Sequence, residues 1–91
     1  MDATERVEAI RSRLEADLAP ESLVVEDESH LHAGHEGARD GRGHFRVYVV
    51  SAAFNGKPML ARHRMVYAAM GQLMQTDIHA LAIDATASDE L

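Results

Sequence analysis

The sequence predicts an α+β fold: a two-layer sandwich in the order αββαβ, with a three-stranded mixed sheet and both helices on one face. Three observations lead to it. Residues 3–18 and 58–75 carry apolar side chains at three- and four-residue steps, the period of a helix with one buried face. Residues 23–27, 44–51 and 78–85 are short apolar or β-branched runs that read as strands. The chain has 91 residues and no cysteine, so one small core must hold without disulfide bonds. A loop joins the first two strands, which should pair antiparallel. A helix joins the second and third, which calls for a right-handed crossover and parallel pairing.

Each element has its own signals. In 3–18, Val7, Ile10, Leu14 and Leu18 repeat along one face, while Glu8, Arg11 and Glu15 take the others. Asp2 and Glu5 have the spacing of a capping box. Pro20 ends the helix, because the residue before a proline is pushed out of the α region. After the strand at 23–27 comes HLHAGHEGARDGRG, with four glycines in fourteen residues and no apolar period, which predicts a long, mobile loop. In HFRVYVVS, Phe45, Val47 and Val49 share one face, and Tyr48 and Val50 make the other apolar too, as in a central strand. AFNGKP is a turn, with Asn55-Gly56 for the positive-φ position and Pro58 for the first helical turn. The second helix, 58–75, puts Met59, Val66, Met70 and Leu73 on one stripe. The third strand is IHALAIDA, and residues 85–91 are expected to be a frayed polar tail of a single 1–91 domain.

Composition excludes several functions. The net charge of −6 argues against a chain-wide basic surface, and so against membrane or RNA as partner. The charge is uneven, however: residues 41–76 hold Arg42, Arg46, Lys57, Arg62 and Arg64 and no acid. No apolar run approaches the roughly 18–20 residues that span a bilayer. The acidic, amphipathic start does not resemble a signal peptide, which makes the cytoplasm the expected location. Ser22, Ser29 and Ser51 lack a nucleophile-elbow context, and Glu26, Asp27 and Glu28 are consecutive, so strand geometry points them apart. The glycine-rich loop has no phosphate-binding motif and leads into a strand, and FNGK is not the GxxG of an RNA-clamping loop.

Histidine is the informative residue. There are six, three of them (His30, His32 and His35) within the glycine-rich loop. His44 opens the central strand. His63 falls on the apolar stripe of the second helix, where a hydrogen-bonded core histidine is the plain reading. His79 interrupts the start of an apolar strand, beside Ile78 and on the face of Leu81, where leucine would pack better.

The stretches EDESHLHAGH, HFRVYVVSAAFNGKPMLARHRMVY and IHALAI, in this order and spacing, resemble the BolA family over nearly the whole chain. The resemblance implies a class II KH-like αββαβ fold and a non-enzymatic adaptor. Its implied partner is a monothiol glutaredoxin, in a heterodimer that shares a 2Fe–2S cluster. His79 in IHAL matches the family's C-terminal ligand histidine. The second ligand, a loop His or Cys, is matched by His32, with His30 and His35 as the alternatives. Some members are also linked to stress response, cell shape and transcription. Two neutral imidazoles hold a 2Fe–2S cluster poorly, so a cysteine-free chain offers half a site and the isolated protein should carry no cluster. A glutaredoxin Cys and a glutathione thiolate would complete the site, and imidazole ligation should weaken below about pH 6. The basic stretch has two readings. It docks an acidic patch of the glutaredoxin, or Lys57, Arg62 and Arg64, with Arg46 nearby, contact DNA phosphates. An ordinary solvated face is the plain alternative.

Overall fold

The computed structural model describes residues 1–32 and 41–91; the side chain of His32 and the loop expectation for residues 33–40, His35 included, lie outside what it describes. Three helices, α1 (Ala3–Leu18), α2 (Met59–Met70) and α3 (Leu73–Thr76), pack against three strands, β1 (Ser22–Asp27), β2 (Gly43–Ser51) and β3 (Ile78–Ala87). One-turn 3₁₀ helices at Ser29–His32, Ala52–Phe54 and Ser88–Glu90 complete the described elements. The sheet order is β1-β2-β3, with β1 and β2 antiparallel and β2 and β3 parallel, as the loop and crossover connections require.

The start of α1 is closed by the expected capping box. The Asp2 carboxylate accepts from the Glu5 N–H at 2.8 Å, and the Glu5 carboxylate accepts from the Asp2 N–H at 3.1 Å. The helix ends at Ala19, in the left-handed region at φ 42°, just before Pro20. Ile10, Leu14 and Leu18 are buried against Phe45, Val47 and Val49 of β2 and Val66, Met70 and Leu73 of the crossover helices. The opposite face of the sheet is open: Val24 is 47% exposed and its cross-strand partner Tyr48 is 39% exposed. The second apolar face of β2 therefore goes with a central strand, but not with a second covering layer. Ser51 is buried with its hydroxyl donating to the Leu18 carbonyl at 2.5 Å, a structural role that leaves it no nucleophilic one.

Four expectations are corrected. The helix predicted over 58–75 breaks after Met70, where Gly71 takes φ 55° and its N–H bonds to the Tyr67 carbonyl. On the stripe, Val66, Met70 and Leu73 are buried, but Met59 is 51% exposed and Arg62 takes the inward position of the first turn. His63 is only half-buried, not the enclosed core histidine of the plain reading.

The fourth correction concerns the tail. Residues 85–87 continue β3, and the chain then closes in the turn Ser88–Glu90. The Arg62 guanidinium organises this end. It donates to the carbonyls of Lys57 (2.8 Å) and Ala85 (3.2 Å) and, through both Nη atoms, to the Glu90 carboxylate at 2.6 and 3.0 Å. Such two-pronged pairs combine charge with fixed geometry. The Glu90 carboxyl is held down to about 2, first by Arg62 and then by the Ala87 N–H. A carboxyl depressed from its ordinary 4.5 stabilises the fold above that value and loses this contribution as pH falls towards 2. Asp77 acts in the same direction, lowered by the Thr76 hydroxyl and then by Arg6. Glu90→Gln is thus expected to lower the melting temperature at neutral pH, with the gap to wild type closing on acidification from about 4.5 to about 2. A gap independent of pH would contradict this.

Candidate functional site

Parallel pairing sets the first residues of β2 and β3 side by side, each carrying a histidine. Gly43 pairs with Ile78, but His44 pairs with Ala80, so β3 carries one extra residue here, and that residue is His79. A bulge of this kind re-aims side chains. Ile78 and Leu81 stay buried, while His79 and Ala80 are both exposed. Strict alternation had put His79 on the face of Leu81; the bulge lifts it out of the core. The His44 ring is buried beneath, its centroid 5.1 Å from that of His79 and tilted by 46°.

The backbone around the pair is tightly tied. The His44 N–H donates to the Ser29 hydroxyl at 3.1 Å, and the His44 carbonyl accepts from the Glu28 N–H at 2.8 Å. Ser29 in turn donates its N–H to the Asp27 carboxylate. The turn Ser29–His32 thereby starts beside His44, and its histidines ride on an anchored base. His30 is exposed. On the other side, the Gly43 N–H bonds to the Asp77 carbonyl, and Arg6 joins the Asp77 carboxylate (3.0 Å) to the Gly41 carbonyl (2.8 Å). Arg42 donates from Nη1 to the Met74 carbonyl at 3.2 Å, and its Nη2 lies 3.1 Å from Nδ1 of His79.

Only glycine fits at position 43. A Cβ there would lie 2.6 and 2.8 Å from ring atoms of buried Phe45 and 2.9 Å from the Ser29 hydroxyl. Overpacking of this kind costs about 1–3 kcal/mol. Gly43→Ala is expected to lose that much in denaturant unfolding and to disturb the His44 and His79 resonances. Unchanged stability would mean the approach is looser than it stands.

The structure keeps few of the basic candidates together. Arg62 is 7% exposed and committed to the tail, so it cannot reach a phosphate. Arg46 is paired with Glu28 at 3.1 Å on the open sheet face, beside a cleft of about 260 Å³ that His44, Ala80 and Ala82 also line. Lys57 and Arg64 are exposed. Two residues of the site escaped the sequence reading. His44 opens the central strand, where pairing with the backbone or a cross-strand neighbour is the plain expectation; parallel pairing of two strands that each carry a histidine near their start is the signal that would have placed it beside His79. Arg42 carried no signal beyond its charge.

Among the described residues, no three His, Cys, Asp or Glu side chains converge to hold a metal ion. Among the described residues the exposed imidazoles near this end of the sheet are those of His79 and His30, with the His44 ring buried behind His79, and the chain has no thiolate. This donor set suits half of a site completed by another molecule, and not a self-contained centre. Among the described residues no helix is long and apolar enough to cross a membrane.

Comparison with known proteins agrees over most of the chain. A family model described as BolA-like protein matches residues 14–90. SufE-like protein 1, chloroplastic/mitochondrial, of Arabidopsis thaliana is 41% identical over 87 residues, covering 90% of this chain and 24% of that protein. Protein BOLA1, chloroplastic, of the same plant is 41% identical over 81 residues, covering 86% and 51%. The chain thus spans about a quarter of the first relative and about half of the second. The solved BolA domain of SufE1 from Arabidopsis thaliana superposes with a TM-score of 0.84 at 38% identity, covering 100% of this chain and 99% of that one.

Proposed function

This chain belongs to the BolA-like protein family, and from that premise we propose that it is an adaptor that joins a monothiol glutaredoxin and shares a 2Fe–2S cluster with it as cargo. The observation that carries this reading is the exposed His79, lifted from the core by the β3 bulge next to the anchored start of the histidine-rich turn. His79 is one ligand and His32 the other, with His30 and His35 as alternatives. A glutaredoxin cysteine and a glutathione thiolate supply the remaining two. The role is binding and transfer in iron–sulfur cluster trafficking, assembly or iron sensing, without catalysis, and the cytoplasm is its proposed setting.

The chemistry of the donors sets the consequences. Neutral imidazole in place of thiolate removes negative charge from the cluster and raises its potential, as histidine ligation does in Rieske-type centres. Burial of Ile78 and Leu81 on either side of the exposed His79–Ala80 step fixes where the imidazole emerges. Half a site also favours transfer, because the chain alone holds the cargo weakly.

Anaerobic reconstitution with a monothiol glutaredoxin and glutathione, followed by size-exclusion with absorbance detection, tests the proposal. A coloured one-to-one complex, spectrally distinct from the glutaredoxin alone, is expected. A spectrum unchanged by this protein, with no complex, would overturn it. The alternative, DNA-binding regulation of stress response and morphology through the start of α2, is left with Lys57, Arg64 and the surface-paired Arg46 once Arg62 is buried in the tail clasp. Its mark would be a sequence-selective shift that falls steeply with salt.

A further inference from the structure

Resting on the reading of His79 as a cluster ligand, the contact between Arg42 and that imidazole has a strict chemical consequence. A guanidinium is always protonated and has only N–H groups, so it can donate but never accept. With Arg42 Nη2 at 3.1 Å, Nδ1 of His79 must be the acceptor. The neutral ring then carries its proton on Nε2, and its one free lone pair is already occupied. Ligation through Nδ1 requires Arg42 to leave. Ligation through Nε2 requires the proton to move to Nδ1, which would face an N–H of the guanidinium, donor against donor. By either route, coordination by His79 and the Arg42 contact exclude one another.

We propose that Arg42 is a charge-selective latch on His79, closing the imidazole to free divalent cations and releasing it to an anionic cluster. A bare cation meets both an occupied lone pair and a positive charge a few ångströms away. A thiolate-ligated 2Fe–2S cluster is negatively charged, and so offers the guanidinium an ionised acceptor, adding charge–charge attraction that neutral Nδ1 lacks. Release is therefore driven by the cargo itself. The second anchor, Nη1 on the Met74 carbonyl, holds the guanidinium against Nδ1 until then. Arg42 thus acts as a positioning and specificity residue through His79.

Two measurements on the free chain test the latch without any cluster. Long-range ¹H–¹⁵N correlation under conditions where the imidazole is neutral should show His79 with an unprotonated Nδ1 and a proton on Nε2, a preference weakened in Arg42→Ala. Zinc titration should show roughly fivefold tighter binding in Arg42→Ala than in wild type, with the gain lost in Arg42→Ala/His79→Ala. Arg42→Lys, which keeps the charge without the fork, should fall between. Nδ1–H on wild-type His79, or equal zinc affinity in wild type and Arg42→Ala, would overturn the latch. Both are read without glutaredoxin, so the latch and the shared-cluster reading fail separately.

Discussion

His79→Ala is expected to abolish the shared cluster while leaving the fold intact. The side chain is exposed, and the buried residues around it, Ile78 and Leu81, belong to the backbone path rather than to the imidazole. Surface substitutions away from packed or capped positions usually change stability by no more than about 0.5 kcal/mol, so far-ultraviolet circular dichroism and thermal unfolding should match wild type. The visible spectrum of the glutaredoxin mixture should revert to that of glutaredoxin alone, because a site short of one ligand no longer completes the shared coordination. The same assay on His30→Ala, His32→Ala and His35→Ala assigns the second ligand. His44→Ala belongs to another class: its ring is buried, and its loss acts on packing as well as on the site. A cluster spectrum unchanged in His79→Ala would remove the imidazole from the proposal.

Arg62→Ala is expected to lower the melting temperature by about 5 °C or more. The substitution strands the Ala85 and Lys57 carbonyls, leaves Glu90 without its two-pronged partner and empties the space of the buried stem. Unsatisfied groups and lost packing are among the mechanisms that produce large effects. Arg64→Ala, two positions on and exposed, should leave the melting temperature within about 2 °C of wild type. The contrast matters for any nucleic-acid assay. Loss of DNA binding in Arg62→Ala would report unfolding of the tail, whereas loss in Arg64→Ala would report a contact. Equal melting temperatures for the two variants would show that the Arg62 clasp contributes little.

Much of the fold was legible from local rules. Capping at Asp2 and Glu5, termination at Pro20 and the crossover between the second and third strands each depend on a few neighbouring residues. What escaped was set by contacts between distant residues. Arg62 turns inward because Ala85 and Glu90 wait there, and no periodicity within the helix marks an arginine for burial. The tail is ordered for the same reason, seen from its other end. Gly71 could be read as a tolerated glycine within a helix; its φ of 55° ends one instead. At the site, the resemblance singled out His79, but the bulge that exposes it is a matter of register between strands 35 residues apart, and so is the proximity of His44.

The most direct test of the shared-cluster reading is whether a nitrogen of this chain is bonded to the cluster iron. The protein is produced with ¹⁵N-histidine and reconstituted with unlabelled glutaredoxin and glutathione, and the cluster is reduced by one electron. Pulsed electron paramagnetic resonance is then recorded for wild type and His79→Ala. Strong ¹⁵N hyperfine coupling in the wild type, and none in His79→Ala, is the expected result. A cluster free of ¹⁵N coupling, and therefore without histidine from this chain, would contradict the reading at its centre.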